Sequence, residues 1–233
     1  MTTVTSLGYA DLPGLMARMT GDEKHAGASA STMDILWVLY DEVLDVAPDR
    51  VDDPARDRFL LSKGHGPSSY YAVLAAKGFL EPETLSSWGT AGSLLGFHPD
   101  HRLVPGVEIG AGSLGHGLPI GVGVALGLRT QHLPARVVVL IGDGELDEGS
   151  NHEAISAAAR FGLDRLTVIV VDNGTASLGW PGGIARRFVV EGWSAHTVDA
   201  HDHEALRAAL TRPAEPGAPT VVVAQSPYKD KEP

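Results

Sequence analysis

Residues 136–174 read RVVVLIGDGELDEGSNHEAISAAARFGLDRLTVIVVDNG and constrain the fold more than any other stretch. Two β-branched apolar runs, 137–141 and 166–171, contain no Gly or Pro and suit strands buried on both faces. Between them, residues 150–161 are Ala-rich with apolar positions at helical spacing. Strand, helix, strand of this length makes a right-handed crossover between parallel strands. Both strands end in polar tips beside glycine: Gly142-Asp143-Gly144, then Asp172-Asn173-Gly174. These tips share the carboxyl edge of the sheet, where open α/β sheets bind ligands. Asp143 and Asn173 lie 173 − 143 = 30 positions apart, yet the crossover makes them neighbours. One carboxylate and one amide oxygen, next to Gly backbone amides, suit Mg²⁺ and a diphosphate. Singly, each is as well explained as a turn residue; together at the tips of one unit they favour the metal.

Charge narrows the function classes. The 233 residues carry a formal net charge of −11 and no basic run, which argues against a nucleic-acid groove or an anionic membrane surface. There is no cysteine, so thiolate metal sites and Cys nucleophiles are excluded, and a cytoplasmic protein is expected. The first residues lack the basic and apolar blocks of a signal peptide. Residues 109–128 are long and almost uncharged, but they are Gly-rich and contain His116 and Pro119. They read as a buried, Gly-lined helix packed closely on a neighbour or cofactor rather than a membrane span.

The alternation of strands and helices predicts an α/β fold, a parallel β-sheet with helices on both faces, as one domain over 1–233 with a polar tail at 226–233. A short helix is expected before residue 20, then helices over 32–46, 67–76, 82–89 and 203–210. Further strands are expected over 57–62, 194–198 and 219–224. Residues 93–107 read as irregular and 184–190 as helix or strand. Residues 49–57 read as a solvated charged loop. His25, His65, His98 and His116 sit in Gly- or Pro-rich contexts, suited to proton transfer near neutral pH. No His or carboxylate cluster has zinc spacing. His196, His201 and His203 have no motif support and read as surface or structural. Glu148 reads equally as a helix N-terminal acid or as a group around the metal.

Together these residues resemble the amino-terminal, diphosphate-binding subunit of the transketolases, a family of thiamine-diphosphate enzymes. The shared pattern is Gly142-Asp143-Gly144 with Asn173, then Glu148-Gly149, Leu61-Ser62-Lys63-Gly64-His65, and His98-Pro99. Pro105-Gly106-Val107-Glu108 leading to Gly112-Ser113-Leu114-Gly115-His116-Gly117 belongs to it too, as does Gly192-Trp193 followed by Val198 to Asp202. The resemblance covers about residues 20–225. It implies thiamine diphosphate and Mg²⁺ as cofactors. Asp143, Asn173 and the carbonyl of Thr175 would hold the metal, the backbone of Gly144 would meet the diphosphate, and Gly142 would also be cofactor-binding. Gly112, Ser113 and Leu114 would meet the aminopyrimidine. His65 would lie beside the cofactor, His98 near the donor hydroxyls, and His25 on the substrate side. The implied reaction moves a two-carbon ketol unit from a ketose or ketose phosphate to an aldose, with histidines moving protons to and from sugar oxygens.

The pattern departs from the family at Thr175-Ala176-Ser177-Leu178-Gly179, where an apolar segment with an Asp is usual. No pyrimidine-binding domain is recognisable. The resemblance therefore implies a split enzyme with a separate pyrimidine-binding subunit, in an α2β2 assembly. Two alternatives are a specialised carboligase or a 2-oxo-acid dehydrogenase-like subunit, and a degenerate structural or regulatory subunit. A plain nucleotide-binding domain fits less well, because no predicted strand leads into G-x-G-x-x-G at a helix start with an acid on the next strand tip.

Overall fold

The computed structural model describes residues 7–20 and 29–226. His25 and residues 227–233 lie outside the described residues. Five strands form one sheet: β1 (Arg58–Leu61), β2 (Val137–Gly142), β3 (Leu166–Asp172), β4 (Ser194–Asp199) and β5 (Thr220–Gln225). The order is β1-β2-β3-β5-β4, and every pairing is parallel. All carboxyl ends therefore lie along one edge, and the expected α/β class holds.

Period-two alternation splits the strand side chains between two cores. Val138 and Leu140 of β2, with Ile169 and Val171 of β3, face one layer; Val137, Val139, Ile141, Val168 and Val170 face the other. The first layer is built by helices α1 (Leu12–Met16), α2 (Met33–Val38), α3 (Ser68–Ala76) and α7 (His203–Thr211). The second contains α4 (Gly117–Thr130), α5 (Gly149–Arg160) and α6 (Gly183–Val189). Both faces are covered, which is why the central strands read as unbroken apolar runs.

The structure revises several expectations. The helix expected over 32–46 stops at Val43: α2 widens into a π turn over Leu39–Val43, and Leu44 is extended. The Gly-rich helix starts only at Gly117, because Gly112 (φ 148°) and Gly115 (φ 81°) adopt conformations that end regular structure. Inside α4, a methyl group at Gly121 would stand 2.5 Å from Val139 Cγ2. Glycine there lets the helix lie directly on β2. No helix among the described residues is long and apolar enough to cross a membrane. The ambiguous segment 184–190 is helical, as α6. The segment at 82–89 is a 3-10 helix over Pro82–Ser87.

The charged stretch at 49–57 is only partly a solvated loop. Asp57 is buried and accepts from Arg136 through N (2.8 Å), Nε (3.1 Å) and Nη2 (2.7 Å). Arg56 pairs with Glu108. The Asp57–Arg136 pair ties the start of β1 to the start of β2, and Arg56–Glu108 ties it to the segment before α4, long-range contacts that local charge patterning does not disclose.

Candidate active site

Five chain segments meet at the carboxyl edge around β1, β2 and β3. The exit of β1 supplies Ser62, Lys63, Gly64 and His65. A methyl group at Gly64 would stand 2.4 Å from Ala111 Cβ, so glycine lets the 110–116 loop settle against this exit. That loop carries Gly112, which packs on the ring of His98; a methyl group at Gly112 would stand 3.4 Å from His98 Cδ2. The His65 and His98 rings meet edge to face, with centroids 5.3 Å apart. The two expected proton-handling histidines are thus brought together, although residues 66–97 separate them.

The tips of β2 and β3 supply the candidate metal seat. Asp143 is 1% exposed. Its Oδ1 accepts from Gly144 N–H (2.9 Å), and its Oδ2 accepts from the N–H groups of Thr175 (2.7 Å) and Ala176 (3.0 Å). The Thr175 hydroxyl lies 2.6 Å from Asp143 Oδ1 and 2.8 Å from Asn173 Oδ1. One hydroxyl proton can serve only one of those oxygens at a time. Three hard oxygens, one each from Asp143, Asn173 and Thr175, are thus mutual neighbours, the donor type a divalent cation preferring oxygen ligands takes. The Thr175 group turned toward Asp143 and Asn173 is its hydroxyl rather than the carbonyl expected as the ligand; that carbonyl lies 3.3 Å from the position a methyl on Gly144 would take. Among the described residues no three His, Asp or Glu side chains are grouped to hold a metal, so Asn and Thr oxygens are integral to any such seat.

The electrostatics follow from burial. Burial pulls the Lys63 ammonium down to about 8, against the opposing pull of Asp143 and Glu145. Burial, reinforced by the nearby Asp143 charge, raises Asp172. Burial also raises Glu145, although hydrogen bonds from Ser62, Gly115 and Gly142 and the charge of Lys63 oppose it.

Sequence reasoning missed Glu145. It is 2% exposed. Its Oε1 accepts from the Ser62 hydroxyl and from Gly115 N–H (3.0 Å), and its Oε2 from Gly142 N–H (3.4 Å). The only local sign was an acid placed directly after Gly-Asp-Gly. Glu148 is the residue before α5 and is exposed; its Cβ lies where a methyl on Gly115 would collide, at 2.7 Å. It packs on the loop and makes no side-chain cap. Ser113 and Leu114 sit in the same loop, Ser113 exposed and Leu114 half-buried.

The divergent segment after Asn173 is tethered by a second aspartate. Asp147 Oδ2 accepts from Ser177 N–H (2.9 Å), Ser177 Oγ–H (2.8 Å) and Leu178 N–H (3.1 Å). Polar tethers thus fix a loop that lacks the family's apolar residues.

A family model described as transketolase, thiamine diphosphate binding domain, matches residues 17–226. The chain belongs to this family. Among its relatives, one subunit of the apulose-4-phosphate transketolase of Actinobacillus succinogenes is 36% identical over 208 residues, covering 87% of this chain and 75% of that protein. A Rhodococcoides fascians protein named ferredoxin fas2 is 62% identical over 210 residues, covering 89% of this chain and 69% of the relative. The solved transketolase from Leishmania mexicana superposes with a TM-score of 0.78 at 25% identity, covering 94% of this chain and 36% of that one. The chain therefore spans about a third of that transketolase, the part that carries the thiamine diphosphate binding domain.

Proposed function

We propose that this chain is the diphosphate-binding subunit of a split transketolase-like enzyme, transferring a two-carbon ketol unit from a ketose or ketose phosphate to an aldose. One observation carries the reading: the Asp143, Asn173 and Thr175 oxygens converge beside glycine amides, with the His65–His98 pair on the same edge. Bound thiamine diphosphate would supply the activated carbon that breaks and remakes the carbon–carbon bond. Asp143, Asn173 and Thr175 would hold Mg²⁺, and the backbone of Gly144, beside Gly142, would meet the diphosphate. The 112–114 backbone would meet the aminopyrimidine. His65, His98 and His25 would hold and move protons at the sugar oxygens. The Actinobacillus succinogenes relative, named as one subunit of its transketolase, supports a separate pyrimidine-binding chain, which we place in an α2β2 assembly with the cofactor between chains. The absence of cysteine supports a reducing, cytoplasmic setting.

Titrating thiamine diphosphate and Mg²⁺ by calorimetry, with and without the partner subunit, tests this. Binding that requires Mg²⁺, and ketol transfer only with the partner, is expected. Robust transfer by the isolated chain would refute the split assembly, and no binding in either setting would refute the enzyme.

A second reading rests on the name of the Rhodococcoides fascians relative, which contains the word ferredoxin. These 233 residues hold no cysteine, so a thiolate-bound iron–sulfur cluster is not within them. On this reading the substrate is a 2-oxo acid that loses CO2, and its acyl group passes to a thiol or to water. The two electrons released pass one at a time to ferredoxin while the two protons go to solvent. A donor screen of ketose phosphates against 2-oxo acids, each with and without reduced-ferredoxin detection, separates the two.

A further inference from the structure

Glu145 is a charged side chain in a place where charge is expensive. Burying a carboxylate in an apolar layer costs several kcal/mol unless donors surround it, about the range known for buried ions. The sequence keeps it there, and its donors come from three different segments. Ser62 belongs to the exit of β1, Gly115 to the loop before α4, and Gly142 to the end of β2. Ser62 Oγ also accepts from Gly117 N–H at 3.0 Å. A methyl at Gly117 would stand 2.2 Å from Ser62 Cβ, so the first turn of α4 rests directly on that serine. The backbone of Glu145 is itself pinned, because Asn151 Nδ2 donates to its carbonyl at 2.7 Å. The carboxylate is thus the hub of a strut joining both strand exits to the 112–117 loop.

The loop needs such a strut. Gly112 and Gly115 have positive φ, so no repeating ladder organises the segment between Val107 and α4. Its own amides must find acceptors elsewhere, and a buried N–H left without one costs about 1–3 kcal/mol. Glu145 is the acceptor for Gly115, and through Ser62 the same hub reaches Gly117.

We propose that Glu145 is a positioning residue: it holds the 112–117 loop in its cofactor-receiving shape before the cofactor arrives. The inference rests on the functional reading above, and it adds a role that acts through the loop rather than by touching cofactor or substrate. Preorganisation of this kind lowers the ordering cost of binding.

Two variants test it. Glu145→Met fills nearly the same space and removes every acceptor. Glu145→Gln keeps one acceptor oxygen for Ser62 and Gly115. In the full chain without cofactor, site-resolved amide exchange is expected to show Gly115 losing about tenfold or more protection in Glu145→Met, the loss of one buried hydrogen bond. Central β2 and β3 amides should keep theirs. In the chain with its partner subunit, the dissociation constant of thiamine diphosphate at fixed Mg²⁺ should rise about tenfold in Glu145→Met and within about threefold in Glu145→Gln. The rate at saturating cofactor should fall less than the affinity does. Should Glu145→Met fail to fold, Ser62→Ala removes one donor of Glu145 and the acceptor of Gly117. It is expected to lower Gly117 protection and weaken thiamine diphosphate affinity by a smaller factor, and no change in either overturns the proposal. A residue that merely fills space predicts Met equal to wild type, and unchanged Gly115 exchange or unchanged affinity in that variant overturns the proposal. Wild-type chain that binds no thiamine diphosphate with its partner overturns the functional reading instead, so the two failures are distinguishable.

Discussion

Glu145 and Asp34 are both buried carboxylates that gather donors from distant segments at the carboxyl edge of the sheet, yet their ionisation is pushed in opposite directions. Burial raises Glu145, and its donors, a hydroxyl and backbone amides, together with the nearby Lys63 charge, do not fully offset it. Burial also acts to raise Asp34, but hydrogen bonds from Tyr9, His203 and His201 outweigh it and hold the carboxyl below its usual range. The Tyr9 hydroxyl donates to Asp34 Oδ1 at 2.5 Å, His203 Nε2 to Oδ1 at 2.7 Å and His201 Nδ1 to Oδ2 at 2.8 Å. His201 follows β4 and His203 opens α7, so this cluster ties the amino-terminal segment to the far edge of the sheet. It contributes to the frame, whereas Glu145 stiffens the site and receives less in return. The contrast teaches that a carboxylate's ionisation is set by how far burial outweighs its donors. Glu145 is buried more deeply, and even Lys63 does not offset that, whereas at Asp34 the hydrogen bonds from Tyr9 and the two histidines win.

Removing Asp34 should separate frame from site most clearly. Asp34→Ala leaves three donors facing a gap, and unfolding stability should fall by about 3 kcal/mol, discounted from the buried-pair range because His201 is half exposed. Urea denaturation would measure this, with the thiamine diphosphate affinity of the surviving folded protein unchanged. A matching loss of affinity would break the division between the two carboxylates. Asp143→Ala is expected to do the reverse, lowering Mg²⁺-dependent cofactor affinity by about a hundredfold, equivalent to ~2.7 kcal/mol. Calorimetry with the partner subunit would read it, alongside a melting temperature shifted far less than in Asp34→Ala.

Acid unfolding sharpens the comparison further. Because the folded-state pKa of Asp34 is depressed, its stabilisation is complete above the unfolded carboxylate value and is lost as pH falls through the folded value. Wild type should therefore lose its advantage over Asp34→Asn only in that acid window, followed by circular dichroism against pH. A constant difference across the window would show that shape, not charge, carries the cluster. The smallest effect is expected from Tyr9→Phe, which removes one hydroxyl donor and should cost about 1 kcal/mol in the same denaturation assay. That substitution also reports on the phenol itself, which burial and Asp34 push up to about 12.

The sequence alone determined the central crossover. Residues 137–141 and 166–171 emerge as the cores of β2 and β3, and Asp143 and Asn173 meet at their tips through the Thr175 hydroxyl. Those features were legible because strand periodicity, crossover handedness and turn chemistry are local rules that place neighbours without further information. The Lys63-Gly64-His65 turn and the His98 loop were legible as motifs, but their ring contact was not. Tertiary structure alone decided which polar side chains became hubs. Glu145 takes its donors from 83 and 30 positions away, and Asp34 meets His201 across 167. Nothing local pointed His201 or His203 at Asp34, and they are structural because that buried carboxylate on α2 faces them. Asp57 and Arg136, 79 positions apart, turned a loop that looked solvated into an internal brace. The same physics explains each case. A hydrogen bond or ion pair gains its worth from burial and from the partner's direction, and both are set only when segments far apart in the chain pack together.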